Sequence, residues 1–408
     1  MELFVARQPI FDAAGELHGY ELLYRGGAQS SSADGTSTEQ MSLDVIVQSF
    51  LEIGLDRITR GHTAYLNFSR QMLLSGSYDL LDPETVIVEL LEDVLGDEPV
   101  ARACAHLAQA GYQLALDDYE PGGPHEALLP HARIVKVDVL NRPMEELRAV
   151  ADRLRGQPVR LLAERVETAE VRDACREIGF ELFQGYFFAR PEVISGQGIS
   201  ADQLAILQLM NRLRDDGTSD IEIEETFRRD PSLSYKLLRM VNAAAGGGRG
   251  IESIMHAIRL LGREQLHRWL ALLFASSLAR GKATDVELVH AAVLRGRLLE
   301  RLGEAAGKRE QAGSLFMVGL FSLMDALLRM PMAELLERVD LAEEVKTALL
   351  KRDGPYAVWL QLAESYEAAE WERMTALAAS VAISPFELPD IYLESLNWAR
   401  DRVPVTAG

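Results

Sequence analysis

The chain has 408 residues, which is more than one ordinary hydrophobic core holds and predicts two domains. A composition of 48% hydrophobic and 25% charged residues is typical of a soluble globular protein. The formal net charge of −20 argues against a general electrostatic grip on nucleic acid or on an anionic membrane, although a local basic site stays open.

The N-terminal region predicts a strand pair followed by a loop. The opening sequence MELFVARQPIF has no signal-peptide layout. The polar segment SSSADGTST at 30–38 is predicted to be a flexible loop after the strand pair.

The two cysteines, Cys104 and Cys175, argue against a disulfide framework. These features favour a protein of the reducing cytoplasm.

Residues 60–190 alternate short apolar runs with amphipathic helical stretches. The strand-like runs are residues 63–69, 85–90, 113–118, 133–138, 158–164 and 183–189. Helices are predicted at 98–111 and 169–179, each ending at a glycine. This alternation indicates a parallel sheet covered by helices. A doubly wound sheet has the same order of elements, but no Gly-rich phosphate loop follows the first strand.

Nearly every predicted strand in this region ends in a polar residue. These residues are Asn67, Glu89, Asp117, Asp118, Lys136, Asp138, Glu164 and Gln184. In a (β/α) barrel the carboxyl ends of the strands converge on one face, so these side chains would meet. Acids after strands are also common as helix caps or solvated loop residues, but six strands in succession favour convergence. We therefore predict an α/β fold with a barrel whose hard-oxygen site suits Mg²⁺ or Mn²⁺ rather than zinc.

The character of the sequence changes after the barrel region. Residues 189–200 are rich in Gly, Pro and Ser, and the remainder of the chain shows helical periodicity. We predict a barrel domain at 1–191, a linker at 192–202 and an all-helical domain at 203–408. The apolar segment WLALLFASSLA at 269–279 is about half the roughly 20 residues of a membrane helix. It is predicted to be a core helix, part of which could instead be an interface.

The ordered motifs of residues 1–191 resemble the EAL domain, the cyclic di-GMP phosphodiesterase and receptor module with a modified TIM-barrel fold. The matching segments follow the family's order along the whole region. They are RQPIF (7–11), GYELLYR (19–25), YLNFS (65–69), VELLED (88–93), ALDD (115–118), KVD (136–138), AERVET (163–168) and QGYFFARP (184–191).

This resemblance implies a metal-dependent site that opens cyclic di-GMP to linear pGpG. The implied Mg²⁺ or Mn²⁺ ligands are Glu21, Asn67, Glu89, Asp117, Asp118, Glu164 and Glu167. Lys136 would assist the attacking water, with Glu164 and Glu21 as its catalytic partners. Arg25, Gln184 and Asp138 would contact the substrate, Arg25 through a phosphate. Glu92 would brace the loop after the double aspartate.

Three departures from the family pattern favour binding over rapid hydrolysis. The family loop D-D-F-G-x-G is here DDYEPGG (117–123), in which Pro121 fixes φ and removes an N–H while Glu120 adds negative charge. Arg165 replaces the glycine of A-E-G-V-E-T. The domain is shorter than usual, so peripheral helices are expected to be missing. We predict cyclic di-GMP binding with weak or absent phosphodiesterase activity; an active phosphodiesterase and a ligand-independent interaction scaffold stay as alternatives.

The second half resembles the HDOD domain, an output module related to HD phosphohydrolases. The resemblance is carried by residues 230–244 and 253–262 and weakens after about residue 280. Where relatives carry G-L-L-H-D-I-G, this chain has GLFSLMD (319–325), so Ser322 and Leu323 replace the metal-binding pair. Three histidines of this half are predicted to be structural or surface residues: His256, His267 and His290.

The two resemblances together predict a bacterial signalling protein. Cyclic di-GMP is its expected ligand, and the helical half is expected to be a non-catalytic module that binds an unidentified protein partner. A homodimer is left open. Ligand at the barrel is expected to act on the helical half through residues 189–200, which would make the two binding events reciprocally linked.

Overall fold

The computed structural model describes residues 3–26, 54–76, 78, 81–185, 200–215, 217–244, 253–279 and 282–403. The predicted loop at 30–38 and most of the predicted linker lie outside the described residues. Within the described ranges, none of the helices combines the length and hydropathy required to cross a membrane.

The N-terminal part of the chain folds into a closed barrel of eight strands in sequence order. The strands are β1 (Leu3–Asp12), β2 (Leu17–Gly26), β3 (Thr63–Phe68), β4 (Val86–Leu90), β5 (Gln113–Leu116), β6 (Ile134–Asp138), β7 (Arg160–Glu164) and β8 (Phe180–Gln184). Strands β2 to β8 pair in parallel, whereas β1 is antiparallel to both of its neighbours. The barrel therefore departs from the regular (β/α) arrangement at one strand, and its predicted fold class is confirmed.

One apolar layer fills the inside of the barrel. It consists of the buried residues Ile10, Tyr65, Ile87, Ala115, Ile134, Leu162 and Leu182. Because side chains alternate along a strand, the residue two positions further on points to the same interior. Those next positions in β3 to β8 are Asn67, Glu89, Asp117, Lys136, Glu164 and Gln184. The polar residues at the strand ends thus form a layer directly above an apolar one.

Helices of the barrel region connect the strands. They are α1 (Leu55–Thr59), α2 (Arg70–Ser75), α3 (Glu98–Gln109), α4 (Met144–Leu154) and α5 (Ala169–Ile178), with a 3₁₀ turn at Glu126–His131. Thr168 caps α5 through its hydroxyl, which accepts from the backbone N–H of Val171 at 3.3 Å, and Gly179 ends the helix with φ +112°. The predicted helix at 169–179 is thereby confirmed to within one residue.

The last strand begins earlier than the sequence predicts. Strand β8 spans Phe180–Gln184, whereas the apolar pattern predicts 183–189. The pattern is interrupted by Glu181, which faces outward and pairs with Arg160 of β7 at 3.1 Å. The Arg160–Glu181 ion pair is half-exposed and joins two neighbouring strands. It puts a charged residue where the prediction expected an apolar one, so the apolar pattern does not show the start of β8.

The remaining described residues form helices. These are α6 (Ala201–Arg214), α7 (Asp220–Arg229), α8 (Pro231–Ala244), α9 (Ile254–Ser276), α10 (Ala283–Ala305), α11 (Ala312–Phe321), α12 (Met324–Leu328), α13 (Met332–Arg338), α14 (Glu343–Lys351), α15 (Ala357–Glu367), α16 (Trp371–Ser380) and α17 (Leu388–Arg400), with 3₁₀ turns at Arg309–Gln311 and Pro385–Glu387. Helix α9 contains WLALLF and packs on α6, α7, α8 and α11, so the predicted core role fits. It is broken at Gly262, whose φ is +74°.

The chain divides into two compact units that do not follow the predicted division of the sequence. The barrel unit comprises residues 1–190, 281–287 and 362–408, and the helical unit comprises 191–280 and 288–361. The barrel unit thus includes two segments of the region predicted as one helical domain at 203–408. These later segments contact β1, β2 and the end of α1.

The C-terminal segment of the barrel unit packs on β1. The hydroxyl of Tyr366 donates to the carbonyl of Val5 at 3.2 Å. The rings of Phe4 and Trp371 lie 5.8 Å apart, and Tyr366 lies 4.7 Å from Tyr392 between ring centroids. These aromatic contacts bury apolar surface that strand β1 would otherwise expose.

A buried charge cluster attaches the start of α10 to the same part of the barrel. One Glu287 oxygen accepts from Tyr20 at 2.8 Å and lies 2.7 Å from Arg60, and the other lies 3.4 Å from Arg7. The guanidinium of Arg7 also lies over the ring of Tyr20, 4.2 Å from its centroid. The charged side chains of this Glu287 cluster are at most 6% exposed. The partners come from β1, β2 and the end of α1.

Candidate functional site

A lysine buried among four carboxylates marks the carboxyl end of the barrel. The side chain of Lys136 is fully buried, and its Nζ lies 2.7 Å from Glu164, 3.2 Å from Asp117 and 3.3 Å from Glu21. Glu89, also fully buried, makes the fourth ion pair with Nζ. Five strands supply these groups: β2, β4, β6, β7 and the end of β5. The sequence-based prediction that the strand-end polar residues meet is correct for this set, which we call the Lys136 cluster.

The Lys136 cluster carries more negative than positive charge. Four carboxylates against one ammonium leave a formal excess of three negative charges. Burial, followed by the charge of Glu21, raises the pKa of Glu89 well above its usual range. Burial also raises the pKa of Glu164 to about 8. Burial alone would lower the pKa of Lys136, but the surrounding carboxylates, led by Glu164, together raise it well above the usual value.

Two amide side chains extend the cluster. Gln184 donates from Nε2 to Glu21 at 2.6 Å and to Gln8 at 2.9 Å, and Asn67 donates from Nδ2 to Glu21 at 3.3 Å. Gln8, which was not predicted as a site residue, pairs with Glu21 in the antiparallel register of β1 and β2. Because β1 runs antiparallel, its site residue precedes the apolar-layer residue Ile10. A prediction that considers only the residues at the carboxyl ends of strands therefore misses Gln8.

Three buried oxygens of this region lack a hydrogen-bond donor. They are Oε2 of Glu89, Oδ1 of Asn67 and Oε1 of Gln184. A buried oxygen without a donor is costly unless a cation or an ordered water satisfies it. Carboxylate and amide oxygens are the ligands that hard divalent cations prefer. The carboxyl groups of the cluster and these oxygens therefore fit a hard divalent cation.

The side chains are not arranged as a preformed cage. Among the described residues, no group of three or more His, Cys, Asp or Glu side chains has the spacing of a metal site. The ammonium of Lys136 lies between the carboxylates instead. A cation would therefore have to share or displace some of the contacts that Lys136 makes.

A cavity of about 390 Å³ lies beside the Lys136 cluster. Asp117 and Lys136 belong to the cluster, while their near neighbours Asp118 and Asp138 line the cavity. Its polar lining consists of Glu92, Asp118, Tyr119, Glu120, His125, Asp138 and Arg142. This size is within the range of small-ligand pockets. The cluster and the cavity together form a candidate site for a small ligand.

The DDYEPGG loop between β5 and the 3₁₀ turn has its own hydrogen-bond network. Tyr119 is buried; its backbone N–H donates to Lys136 O at 2.9 Å and its hydroxyl to Glu126 at 2.9 Å. Glu126 also accepts from the N–H of Gly122 at 3.0 Å and from Arg153 at 2.5 Å. Glu120 remains exposed at the cavity. The loop is thus fixed through tyrosine and glutamate.

Five predicted site residues lie outside the Lys136 cluster and its two amide side chains: Asp118, Glu92, Arg25, Glu167 and Asp138, the last of which lines the cavity. Asp118 has φ +40°, is exposed and lines the cavity, and burial followed by the charge of Asp117 raises its pKa. Glu92 lines the cavity but makes no hydrogen bond to a described residue of the loop it was predicted to brace. Arg25 lies on β2, opposite Phe4 of β1 and four residues beyond Glu21. Glu167 is exposed in the turn after β7.

Ser322, one of the two residues that replace the metal-binding pair of the HD pattern, is held in place by an arginine. Ser322 accepts from Arg295 Nη1 at 2.7 Å and donates to the carbonyl of Gly319 at 2.7 Å. His256 is exposed and His290 is buried. His267 lines a separate cavity of about 270 Å³, and burial lowers its pKa to about 4, so its ring is neutral at physiological pH.

Comparison with known proteins agrees with the two motif series. Residues 66–191 match the EAL domain, and residues 202–348 match the HDOD domain. The chain is 33% identical over 410 residues to the uncharacterized protein YuxH of Bacillus subtilis, covering 98% of this chain and 99% of that protein. The chain belongs to the EAL–HDOD family. The predicted family membership is thereby confirmed.

A second relative is named as an enzyme. The cyclic di-GMP phosphodiesterase CdgJ of Vibrio cholerae is 32% identical over 405 residues, covering 98% of this chain and 92% of that protein. Among solved structures, the calcium and cyclic di-GMP complex of BlrP1 from Klebsiella pneumoniae is 24% identical, with a TM-score of 0.39 over 47% of this chain and 56% of that chain.

Proposed function

We propose that this EAL–HDOD protein is a cyclic di-GMP signalling protein of the bacterial cytoplasm. The cavity and the Lys136 cluster bind cyclic di-GMP together with Mg²⁺ or Mn²⁺, and the HDOD domain binds a protein partner. The observation that carries this proposal is the set of four carboxyl groups on the buried Lys136, which would carry a formal excess of negative charge beside a cavity if all four were ionised.

Burying that much negative charge is unfavourable unless a cation offsets it. The metal ligands would come from Glu21, Asn67, Glu89, Asp117 and Glu164, with Asp118 and Glu167 completing the set from the neighbouring turns. When bound, the cation supplies Lewis-acid polarisation of a phosphoryl oxygen. It would also satisfy the oxygens of Glu89 and Asn67 that lack donors.

The chain's own residues position the ligand. Lys136 keeps its proton at neutral pH because the carboxylates raise its pKa, so it donates hydrogen bonds and orients a water rather than accepting a proton. Gln184 and Gln8 hold Glu21 in place through their hydrogen bonds. Arg25 and Asp138 would contact the ligand from the ends of β2 and β6.

Hydrolysis to pGpG is the second candidate function. It is favoured by the complete acid set around Lys136 and by the name of the V. cholerae relative. Against efficient turnover stands the DDYEPGG loop, in which Tyr119 and Glu126 take the place of a glycine-based geometry. Binding with slow turnover is therefore the form of the function that we propose.

One assay separates binding, hydrolysis and a scaffold role. Purified full-length protein is titrated with cyclic di-GMP in a calorimeter, with EDTA, with Mg²⁺ and with Mn²⁺, and the products are then run on a nucleotide column. We expect saturable heat and little pGpG over the time of the titration. Rapid formation of pGpG would show that the protein is an active phosphodiesterase. If no heat is released at high ligand concentration under any of the conditions, only the ligand-independent interaction scaffold remains as a function.

A further inference from the structure

Arg165 lies in a backbone conformation that glycine adopts at no cost. Its φ is +54°, in the left-handed region, where a residue with a Cβ is disfavoured by about 1–2 kcal/mol. It follows Glu164 of the Lys136 cluster directly, at the position where the EAL pattern has glycine. A residue with a Cβ keeps this conformation only where the surrounding structure fixes it.

The turn that carries Arg165 is held from both sides. The N–H of Val166 donates to the carbonyl of Gln184 at 2.9 Å, and the side chain of Val166 is buried. Gly185 makes room for this turn, because a Cβ there would lie 2.3–2.4 Å from the Val166 backbone. The direction in which Arg165 leaves the backbone is therefore fixed by the barrel.

The side chain of Arg165 meets the cavity wall at Asp138. Its guanidinium forms an ion pair with Oδ2 of Asp138, while Oδ1 of Asp138 accepts from the N–H of Leu140 at 2.9 Å. Asp138 lines the cavity, and 60% of the Arg165 side chain remains exposed. A guanidinium has five N–H donors, so one carboxylate oxygen leaves several of them available at the cavity mouth.

The cavity needs cations to accept a phosphodiester. Its wall carries four acids, Glu92, Asp118, Glu120 and Asp138, and Arg142 as its only full cation among the described lining residues. Burial lowers the pKa of His125, so this ring adds no charge at neutral pH. The guanidinium of Arg165, paired with Asp138 of the cavity wall, adds a second positive charge next to this lining.

We propose that Arg165 binds a phosphate of the cyclic dinucleotide at the mouth of the cavity, as a contact specific to this chain. The inference rests on the proposed function, since it takes cyclic di-GMP as the ligand. Planar guanidinium donors match phosphate oxygens in a bidentate manner, which makes arginine suited to this contact. Before the ligand binds, Asp138 holds the guanidinium in position through the ion pair. Once the ligand is bound, the guanidinium contacts both Asp138 and the phosphate.

The test compares Arg165→Gln with a matched control, Arg352→Gln. Arg352 is exposed, lies in the helical unit and has φ +53°, so both substitutions affect the same backbone conformation. Cyclic di-GMP affinity is measured by calorimetry on the full-length proteins at about 50 and 300 mM salt, both with Mg²⁺ and with EDTA. We expect Arg165→Gln to weaken binding about tenfold or more, as for a lost charge-assisted hydrogen bond, and to reduce the salt dependence. Arg352→Gln should change neither.

A second pair of variants excludes simple charge neutralisation of Asp138. Arg165→Gln is also measured in an Asp138→Asn background. If Arg165 contacts the phosphate, Arg165→Gln weakens cyclic di-GMP binding in the Asp138→Asn background as well. If Arg165 only neutralises the charge of Asp138, Arg165→Gln leaves the affinity of the Asp138→Asn protein unchanged, and the inference is wrong. Equal affinity of wild type and Arg165→Gln overturns the inference alone. Absence of binding by the wild type, with and without metal, overturns the proposed function and the inference with it.

Discussion

Lys136 is the residue on which the electrostatics of the barrel depends most. Its ammonium contacts four carboxylates, and none of its side chain is exposed. Removing one partner from a buried charge cluster leaves the others without compensation, which costs more than the cluster contributes when intact.

Lys136→Met should destabilise the protein by about 3–5 kcal/mol in metal-free buffer, because four carboxylates then share a buried site with no cation. Urea unfolding followed by circular dichroism measures this change. Lys346→Met, at an exposed pair with Glu343, is the matched control and should change stability by less than about 1 kcal/mol. An unchanged midpoint for Lys136→Met would show that the cluster is not charged as described.

The two cysteines should be unreactive in the folded protein. Burial raises the pKa of Cys104 to about 12 and that of Cys175 to about 11. Both thiols therefore stay protonated well above neutral pH, and the thiolate is the reactive form. Ellman's reagent at pH 8 should detect no fast thiol in the native protein and two in urea. One fast native equivalent would contradict the burial of the helices α3 and α5.

At the scale of strands and helices, the polar residues at the strand ends could be predicted from the sequence. The contacts between residues far apart in the sequence could not. Asn67, Glu89 and Gln184 follow apolar runs, so alternation places them above the apolar layer from sequence alone. Gln8 precedes its apolar-layer residue because β1 is antiparallel, and no strand-end pattern shows it. The pair of Arg7 with Glu287 joins residues 280 positions apart, and nothing local indicates it.

The Glu287 cluster makes the start of α10 part of the barrel unit. Glu287→Ala should destabilise the protein by about 3–5 kcal/mol, since Arg7 and Arg60 would be left buried without a carboxylate. Differential scanning calorimetry measures the shift. Glu334→Ala, at a half-exposed i,i+4 pair with Arg338, is the control and should cost less than about 1 kcal/mol. Equal effects of the two substitutions would contradict the described burial.

At the scale of the whole molecule, the sequence domains and the compact units differ. The predicted limits at 1–191 and 203–408 follow composition and motifs, whereas residues 281–287 and 362–408 group with the barrel in space. The local sequence does not show that these two segments pack with the barrel, because the helices they form have the same hydrophobic periodicity as the other helices. The aromatic residues Trp371 and Tyr392 are ordinary core candidates in the sequence.

A fragment of residues 1–191 should therefore not fold as a stable barrel. It lacks the contacts of Tyr366 and Trp371 with β1 and the carboxylate of Glu287. We expect a broad, non-cooperative urea transition for the fragment and a cooperative one for the full chain. A fragment with a cooperative transition and the ligand affinity of the full chain would show that the predicted domain limits are also folding limits.

The central claim is that the Lys136 cluster and its cavity bind cyclic di-GMP with a divalent cation. Calorimetric titration of cyclic di-GMP in Mn²⁺ into wild type and Glu89→Gln tests it most directly, with the exposed Glu145→Gln as control. We predict saturable binding by wild type and Glu145→Gln, and affinity weakened about tenfold or more for Glu89→Gln, which replaces a carboxyl group of the proposed cation site by an amide. Equal affinity of all three proteins, or no binding by any of them, would contradict the claim.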